Sequence, residues 1–596
     1  MRLFVRVGGY DERMDAAPAA LQGMHAYLTL DSLGIREATR AELLDLVRQF
    51  EWSSTFGSLA TLASALANGP DESSIGRTQV EHVRVPLQQQ THSLDYRLAA
   101  IAERLRQVPP EAPIAHEQVL YFLQALTVLE GADAGAAPAK HEIARLALVA
   151  NGHLMELMPG SGALDQVEAA VVDIGRLSRF GNAHPDLAAR VGRFVRLLEQ
   201  MPEQGPFKSP EDWRALGELA FGRPFEDFAD ILLVPLVMLS TSWGMPDPAT
   251  RALAPPLVHP TTWFAQTRVS FQAAAPFFER VTWTREELRA KLRRRQDGLP
   301  ASLVTLYHRP FLRLGPDALC CASPWLLWEQ LRYGAWNRFR ETCNALGEEW
   351  LPTFGVLFEQ WCKWVADVAR KKPGFSGLVV LAERIGGPDE IEDVVFLHSD
   401  IAVLFSVKGG LVPEEVARGG PETRKTALEW YERFFFAKRQ GRYPDGAVRL
   451  LSEKIDRLRQ GGYEPRLPRA CRVIPVLVSY DNLGESFALY RWLTTRCTAE
   501  SLLQQENVAP LTIATVDDFE GLFSLAARGV SMLDVLVAKT SQASRERRLR
   551  HVLMDFRRGV ADLRLEELHQ AFGSITARSG MKLFGRPFEI PAAPGI

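Results

Sequence analysis

The stretch from Glu390 to Gly410, EIEDVVFLHSDIAVLFSVKGG, constrains the fold more than any other part of the chain. Two β-branched apolar runs flank His398-Ser399-Asp400, so the segment reads as two strands joined by a hairpin turn. The second run ends in Ser406-Val407-Lys408, followed by two glycines. Side chains two apart on a strand point to the same face, so Ser406 and Lys408 project together. Whether Asp393, at the head of the first run, shares that face depends on the length of the turn, because a one-residue slip reverses every side chain.

The segments around this hairpin define an α/β region. Leu351–Arg370 has helical periodicity with a proline in its first turn. Short apolar runs follow at Leu378–Leu381, Ile391–Phe396, Ile401–Val407 and Val473–Val478, with a helical stretch at about Glu422–Gln460 between the last two. A further short strand is expected at Leu511–Ala514, ahead of two helix starts at Thr515…Asp518 and Ser531…Asp534. Residues 1–345 read mostly as helices, among them Ser93–Gln107 and Leu164–Leu198, the latter broken near Gly181-Asn182. Thr284 with Glu287 is a capping-box pattern, and Asn68–Ser74, Gly131–Pro138 and Asp247–Pro260 read as loops. A chain of 596 residues has room for about three or four domains.

Composition narrows the function classes. The net charge is −3, and residues 346–596 carry 34 Lys/Arg against 33 Asp/Glu, so any nucleic-acid contact must come from a local groove rather than from bulk charge. The six cysteines form no CxxC pair and lie in apolar surroundings, which points to a reducing compartment and no zinc cluster. The N-terminus is too short in apolar residues for a signal-peptide core, and the most apolar run, Ile231–Leu239, falls far short of the roughly 20 residues of a spanning helix. The expectation is a soluble cytoplasmic protein with no membrane contact. No GxxxxGK[ST] loop, HExxH or Gly-x-Ser-x-Gly elbow occurs.

Phosphodiester hydrolysis needs a divalent cation, an activated water and neutralisation of developing charge. An aspartate at a strand end can bind Mg²⁺, a lysine on the next strand can act on the attacking water, and a glutamate from a preceding helix can complete the shell. Asp393, Lys408 and Glu359, the last in Gly355-Val-Leu-Phe358-Glu359, stand in that order. The helix with Gly-x-x-Phe-Glu, then Asp, then an apolar strand ending x-x-Lys-Gly-Gly, then the later strand Arg472–Val478, resembles the PD-(D/E)XK, or restriction-endonuclease-like, nuclease superfamily over about residues 346–480.

The resemblance implies an α/β nuclease-like domain, a Mg²⁺ or Mn²⁺ cofactor held by Asp393 and Glu359, Lys408 as the catalytic lysine, and a nucleic-acid substrate, with DNA favoured. It fits a role in bacterial genome defence, including antiviral defence, or in DNA processing. The chain departs from the family pattern at Ser406, where the family has an acidic metal ligand. Glu359, Glu392, Glu415 and Glu429 are candidates to replace it, and a degenerate, non-cutting scaffold that binds nucleic acid or protein is the alternative. The expected organisation is α+β and multidomain: helical regions at 1–160 and 161–345, the nuclease-like domain at 346–500 and a helical extension at 501–596. The N-terminal helices are the expected place for a protein partner.

Other signals are weaker. Lys371-Lys372, after the Glu359 helix, is placed to border a substrate groove. The basic runs Arg289–Arg295 and Arg545–Arg550 read as solvated helix faces. Two aromatic groups, Trp325 to Phe339 and Trp430 to Phe436, have the spacing of core packing, although stacking on bases is conceivable.

Overall fold

The structure is a computed structural model of the chain. It describes residues 28–67, 77–108, 114–155, 168, 171–172, 187–199, 210–222, 225–240, 256–265, 267–292, 300, 304–330, 334–346, 350–381, 392–410, 412–413, 416, 423–438, 445–463, 467–469, 471–557 and 565–587. The fold is mixed α/β, with a four-stranded and a five-stranded sheet. No helix among the described residues is long and apolar enough to cross a membrane.

The N-terminal part is a helical unit. Helices Trp52–Ala67, Glu117–Glu130 and Lys140–Met155 share one core with the helix Tyr96–Gln107, which Asp95 caps through the Arg97 and Leu98 N–H groups. Helix Glu117–Glu130 is buried nearly all round, and its Gln124 donates to the Ala322 carbonyl at 2.8 Å, which ties the unit to the next sheet.

The middle region is less purely helical than its periodicity predicts. After helix α1 (Leu187–Glu199) come strands β1 (Leu257–Val258), β2 (Thr282–Trp283), β3 (Phe311–Gly315) and β4 (Ala318–Cys321), ordered β1-β4-β3-β2. Two-residue strands have no periodicity to read, and the β3–β4 hairpin carries a register shift near Gly315. Thr284 forms the expected capping box with Glu287.

Helix α2 (Trp350–Arg370) opens the second sheet: β5 (Leu378–Leu381), β6 (Val394–His398) and β7 (Ile401–Lys408). The helical stretch expected over Glu422–Gln460 is two helices, α3 (Arg424–Phe436) and α4 (Ala447–Arg459). The break has a cause. Gly446 packs so closely that a Cβ there would meet the Phe435 carbonyl carbon at 2.5 Å, and Pro444 precedes it in sequence. Strand β8 (Arg472–Ser479), helix α5 (Phe487–Ala499), strand β9 (Thr512–Thr515) and helices α6 (Val516–Ala527) and α7 (Glu566–Phe584) follow, with two shorter helices, Met532–Thr540 and Leu549–Phe556, between the last two.

The second sheet runs β5-β6-β7-β8-β9. Strands β5, β6 and β7 are antiparallel neighbours, and β7, β8 and β9 are parallel. Val403, Phe405, Val407, Ile474, Val476 and Val478 face a core shared with α1, α2, α6 and α7. Ala402, Leu404, Val473 and Leu477 face a second core under α3, α4 and α5. Cover on both faces explains why the inner strands read as unbroken apolar runs. Strand β9 lies beyond residue 500 yet belongs to this sheet, and the core on the α2 side runs from Val191 to Leu583. All six cysteines are buried, and among the described residues none forms a disulfide.

Candidate active site

The hairpin settles the register that the sequence leaves open. His398 pairs with Ile401, so Ser399 and Asp400 form a two-residue turn, with Ser399 in the left-handed region at φ 54°. Val394 pairs with Phe405, the last pair of the ladder, so Asp393 and Ser406 are the next residues out along the two chains. Ser406 and Lys408 share the side of the sheet that bears Ala402 and Leu404, and Asp393 lies immediately before β6. The Asp393 carboxylate accepts the Val407 N–H at 2.7 Å, which fixes it to the end of β7.

Helix α2 packs on the opposite face of the sheet, that of Phe405 and Val407, and comes close to the chain just after β7. A Cβ on Gly409 would lie 2.6 Å from the Gly355 Cα, so the absence of a side chain at Gly409 lets the end of β7 touch the helix backbone. Glu359 is one turn after Gly355, on the same face of α2. It pairs with Lys363 at 2.5 Å and is mostly covered. Burial pushes the Cys362 thiol well up, and Asp393 and Glu359 both add to that shift, so the two carboxylates act on one buried atom.

Glu392 is the fourth acidic or basic group at the site. Only 2% of it is exposed. Its Oε2 lies 3.2 Å from Lys454 Nζ and accepts the Asp393 N–H at 3.3 Å. Its Oε1 and the Ser406 hydroxyl are buried with no hydrogen-bond partner among the described residues. Burial pushes the Glu392 carboxyl up to about 7; Lys454 opposes the shift, Asp393 reinforces it and Lys408 opposes it. Lys408 is thus within electrostatic reach of Glu392, and on β8 its parallel neighbour is Ser479.

Of the residues considered as replacements at Ser406, the structure brings Glu392 and Glu359 to this end of the sheet. Glu429 is exposed on α3 and pairs with Lys425 at 4.0 Å, and Glu415 lies outside the described residues. Lys371 and Lys372 are elsewhere. They follow α2 about 18 Å beyond Glu359, at 1.5 Å per residue. Lys371 pairs with Asp367 at 2.5 Å and Lys372 with Glu567 at 2.7 Å. The Arg545–Arg550 run is not a free face: Arg548 Nε donates to the Glu485 carbonyl at 3.0 Å, and Arg547 pairs with Asp555 at 2.8 Å. Residues 293–295 of the other basic run lie outside the described residues.

Lys454 is the site residue that sequence reading misses. Its signal was local: it sits beside Leu451 and Ile455, the buried stripe of α4, where a lysine must reach either solvent or an acid. The oxygen donors of Asp393, Glu392 and Ser406 suit a hard cation, and Mg²⁺ commonly takes one or two carboxylates with substrate oxygens and water. Among the described residues, no group of three or more His, Cys, Asp or Glu is arranged to hold a metal ion. Comparison of the chain with protein-family models, curated proteins and solved structures finds no match.

Proposed function

We propose that this chain is a metal-dependent nuclease of the PD-(D/E)XK type that hydrolyses phosphodiester bonds of nucleic acid, with DNA favoured over RNA. The observation that carries the reading is the β6–β7 register. At its end the Asp393 carboxylate accepts the Val407 N–H, between Ser406 and Lys408, and the adjoining Glu392 has a carboxylate oxygen with no hydrogen-bond partner among the described residues. Asp393 and Glu392 would hold Mg²⁺ or Mn²⁺, and Glu359 would assist from α2. When bound, the cation supplies Lewis-acid polarisation of the phosphoryl group and a more acidic water. Lys408 orients the attacking water and stabilises charge on the phosphoryl oxygens as it develops. Glu392 takes the part that an acidic residue at 406 would play.

One observation favours a second reading, a nuclease-like scaffold that binds without cutting. Ser406 is neutral and Lys454 already neutralises Glu392, so little net negative charge is left to attract a cation. The two readings separate in a cleavage assay on plasmid, linear single-stranded DNA and RNA, with Mg²⁺ or Mn²⁺ and with EDTA. The nuclease reading expects divalent-dependent products that vanish in Asp393→Ala, Glu392→Gln and Lys408→Ala. Intact substrates under every condition, with divalent-independent binding of an oligonucleotide, would establish the scaffold instead.

A further inference from the structure

Helix α3 presents two kinds of aromatic residue. Tyr431, Phe435 and Phe436 are buried in the core beneath the sheet. Trp430 and Phe434, one turn apart, are only half-buried. They stack on each other, with ring centroids 4.9 Å apart and planes 18° from parallel. Arg433, three residues after Trp430 and so on the same face, is exposed. Both pack against the rim of that core, which Ala427, Leu428, Tyr431 and Phe435 fill from this helix, and both keep part of their surface exposed.

This pair borders the candidate active site. A Cβ on Gly410 would lie 3.7 Å from the Phe434 ring, and Gly410 is two residues beyond Lys408. The chain leaving β7 thus runs between Gly355 of α2 on one side and the stacked pair on the other. Ring faces beside a cationic strand end suit one chemistry above others. A nucleobase can stack on an aromatic face regardless of its identity, while the attached phosphates pair with nearby lysine and arginine. A duplex keeps its base faces covered by its own stacking and offers only edges and backbone, so only an unpaired base can use such a surface.

We infer that Trp430 and Phe434 form a base-stacking shelf and that the strand presented to Lys408 is unpaired there: a single-stranded nucleic acid is the substrate class. Arg433 takes a phosphate of the same strand. The inference rests on the nuclease reading of the Asp393–Lys408 site.

The test is fluorescence anisotropy in Ca²⁺ with a labelled oligothymidylate and a labelled duplex of equal length. The proteins are the wild type, Trp430→Leu/Phe434→Leu and Trp430→Phe. Leucine keeps apolar bulk at both positions, and a thermal melt checks that the double variant is folded. The expected result is tighter binding of the single strand by the wild type, a loss of about 5- to 150-fold in the double variant, unchanged duplex binding, and retention of most affinity by Trp430→Phe. If the double variant does not fold, Trp430→Leu against Trp430→Phe reads the same difference. Single-strand affinity untouched by loss of the rings, or equal affinity of the wild type for the duplex, would overturn the shelf and leave the nuclease reading standing. Binding of neither oligonucleotide would overturn both.

Discussion

Glu392 makes a prediction in which stability and function pull apart. Burial holds its carboxyl at about 7 against an ordinary value of 4.5. Below pH 4.5 it is protonated in the folded and the unfolded chain alike, and costs nothing. Between 4.5 and about 7 the unfolded chain gives up the proton while the folded chain keeps it. The folded state then binds more protons, so stability falls as pH rises through this window. At about 1.4 kcal/mol per pH unit, the full window withdraws about 3 kcal/mol. Glu392→Gln cannot ionise and escapes that loss. Its Lys454 partner, 27% exposed in its side chain, can turn towards water.

The stability of the variant relative to the wild type should therefore rise by about 3 kcal/mol from pH 4.5 to pH 7. Urea midpoints for the two proteins at matched pH values measure it. Glu117 and Glu485, also pushed up to about 7 by burial, titrate in the same window but are present in both proteins and drop out of the difference. A difference that stays flat across the window would refute the account of Glu392 as a buried carboxyl with only partial compensation. The same variant should lose any divalent-induced rise in the unfolding midpoint, because a ligand stabilises only the form that binds it.

Three further perturbations probe how the site is held. Gly409→Ala should cost roughly 1–3 kcal/mol, because its Cβ would sit 2.6 Å from the Gly355 backbone, whereas Gly410→Ala meets Phe434 at an ordinary 3.7 Å and should be near neutral; thermal unfolding of the pair checks this. Asp393→Ala strands the buried Val407 N–H and should lower the urea midpoint by the equivalent of about 1–3 kcal/mol, while Asp393→Asn keeps an acceptor and should lose less. Arg193→Met should cost roughly 3–5 kcal/mol by calorimetry, because it leaves Glu520 buried without the guanidinium that binds it at 2.6 and 2.8 Å.

The parts of the fold that were legible in sequence are those with a local cause. The inner strands at 401–408 and 472–479 announce themselves as apolar runs because both faces of the sheet are covered there. Thr515 caps α6 through Asp518, and Ser531 accepts the Asp534 N–H, as their spacing predicts. The break between α3 and α4 was also written locally, in Pro444 and Gly446, but helical periodicity on either side outweighed it. What escaped depends on distant partners. Lys454 meets Glu392 only because α4 crosses the sheet, and Arg548 turns inward only because the Glu485 carbonyl waits there. The register of Asp393 hung on one left-handed serine, a conformation that serine does not advertise.

The electrostatics of the site also account for the serine at 406. Glu392 is already held at about 7 by burial and by the nearby Asp393, even with Lys454 and Lys408 opposing the shift. A third carboxylate at 406, on a side chain that is now fully buried, would push Glu392 further up, and like charges so close do not all ionise at neutral pH. One of the three would stay protonated and would serve poorly as a cation ligand. A neutral hydroxyl at 406 leaves Asp393 and Glu392 as the charged pair, with Lys454 balancing one of them. On this argument Ser406 follows from placing Glu392 next to Asp393, and restoring an acid with Ser406→Glu should weaken divalent binding unless Glu392 is neutralised in the same chain.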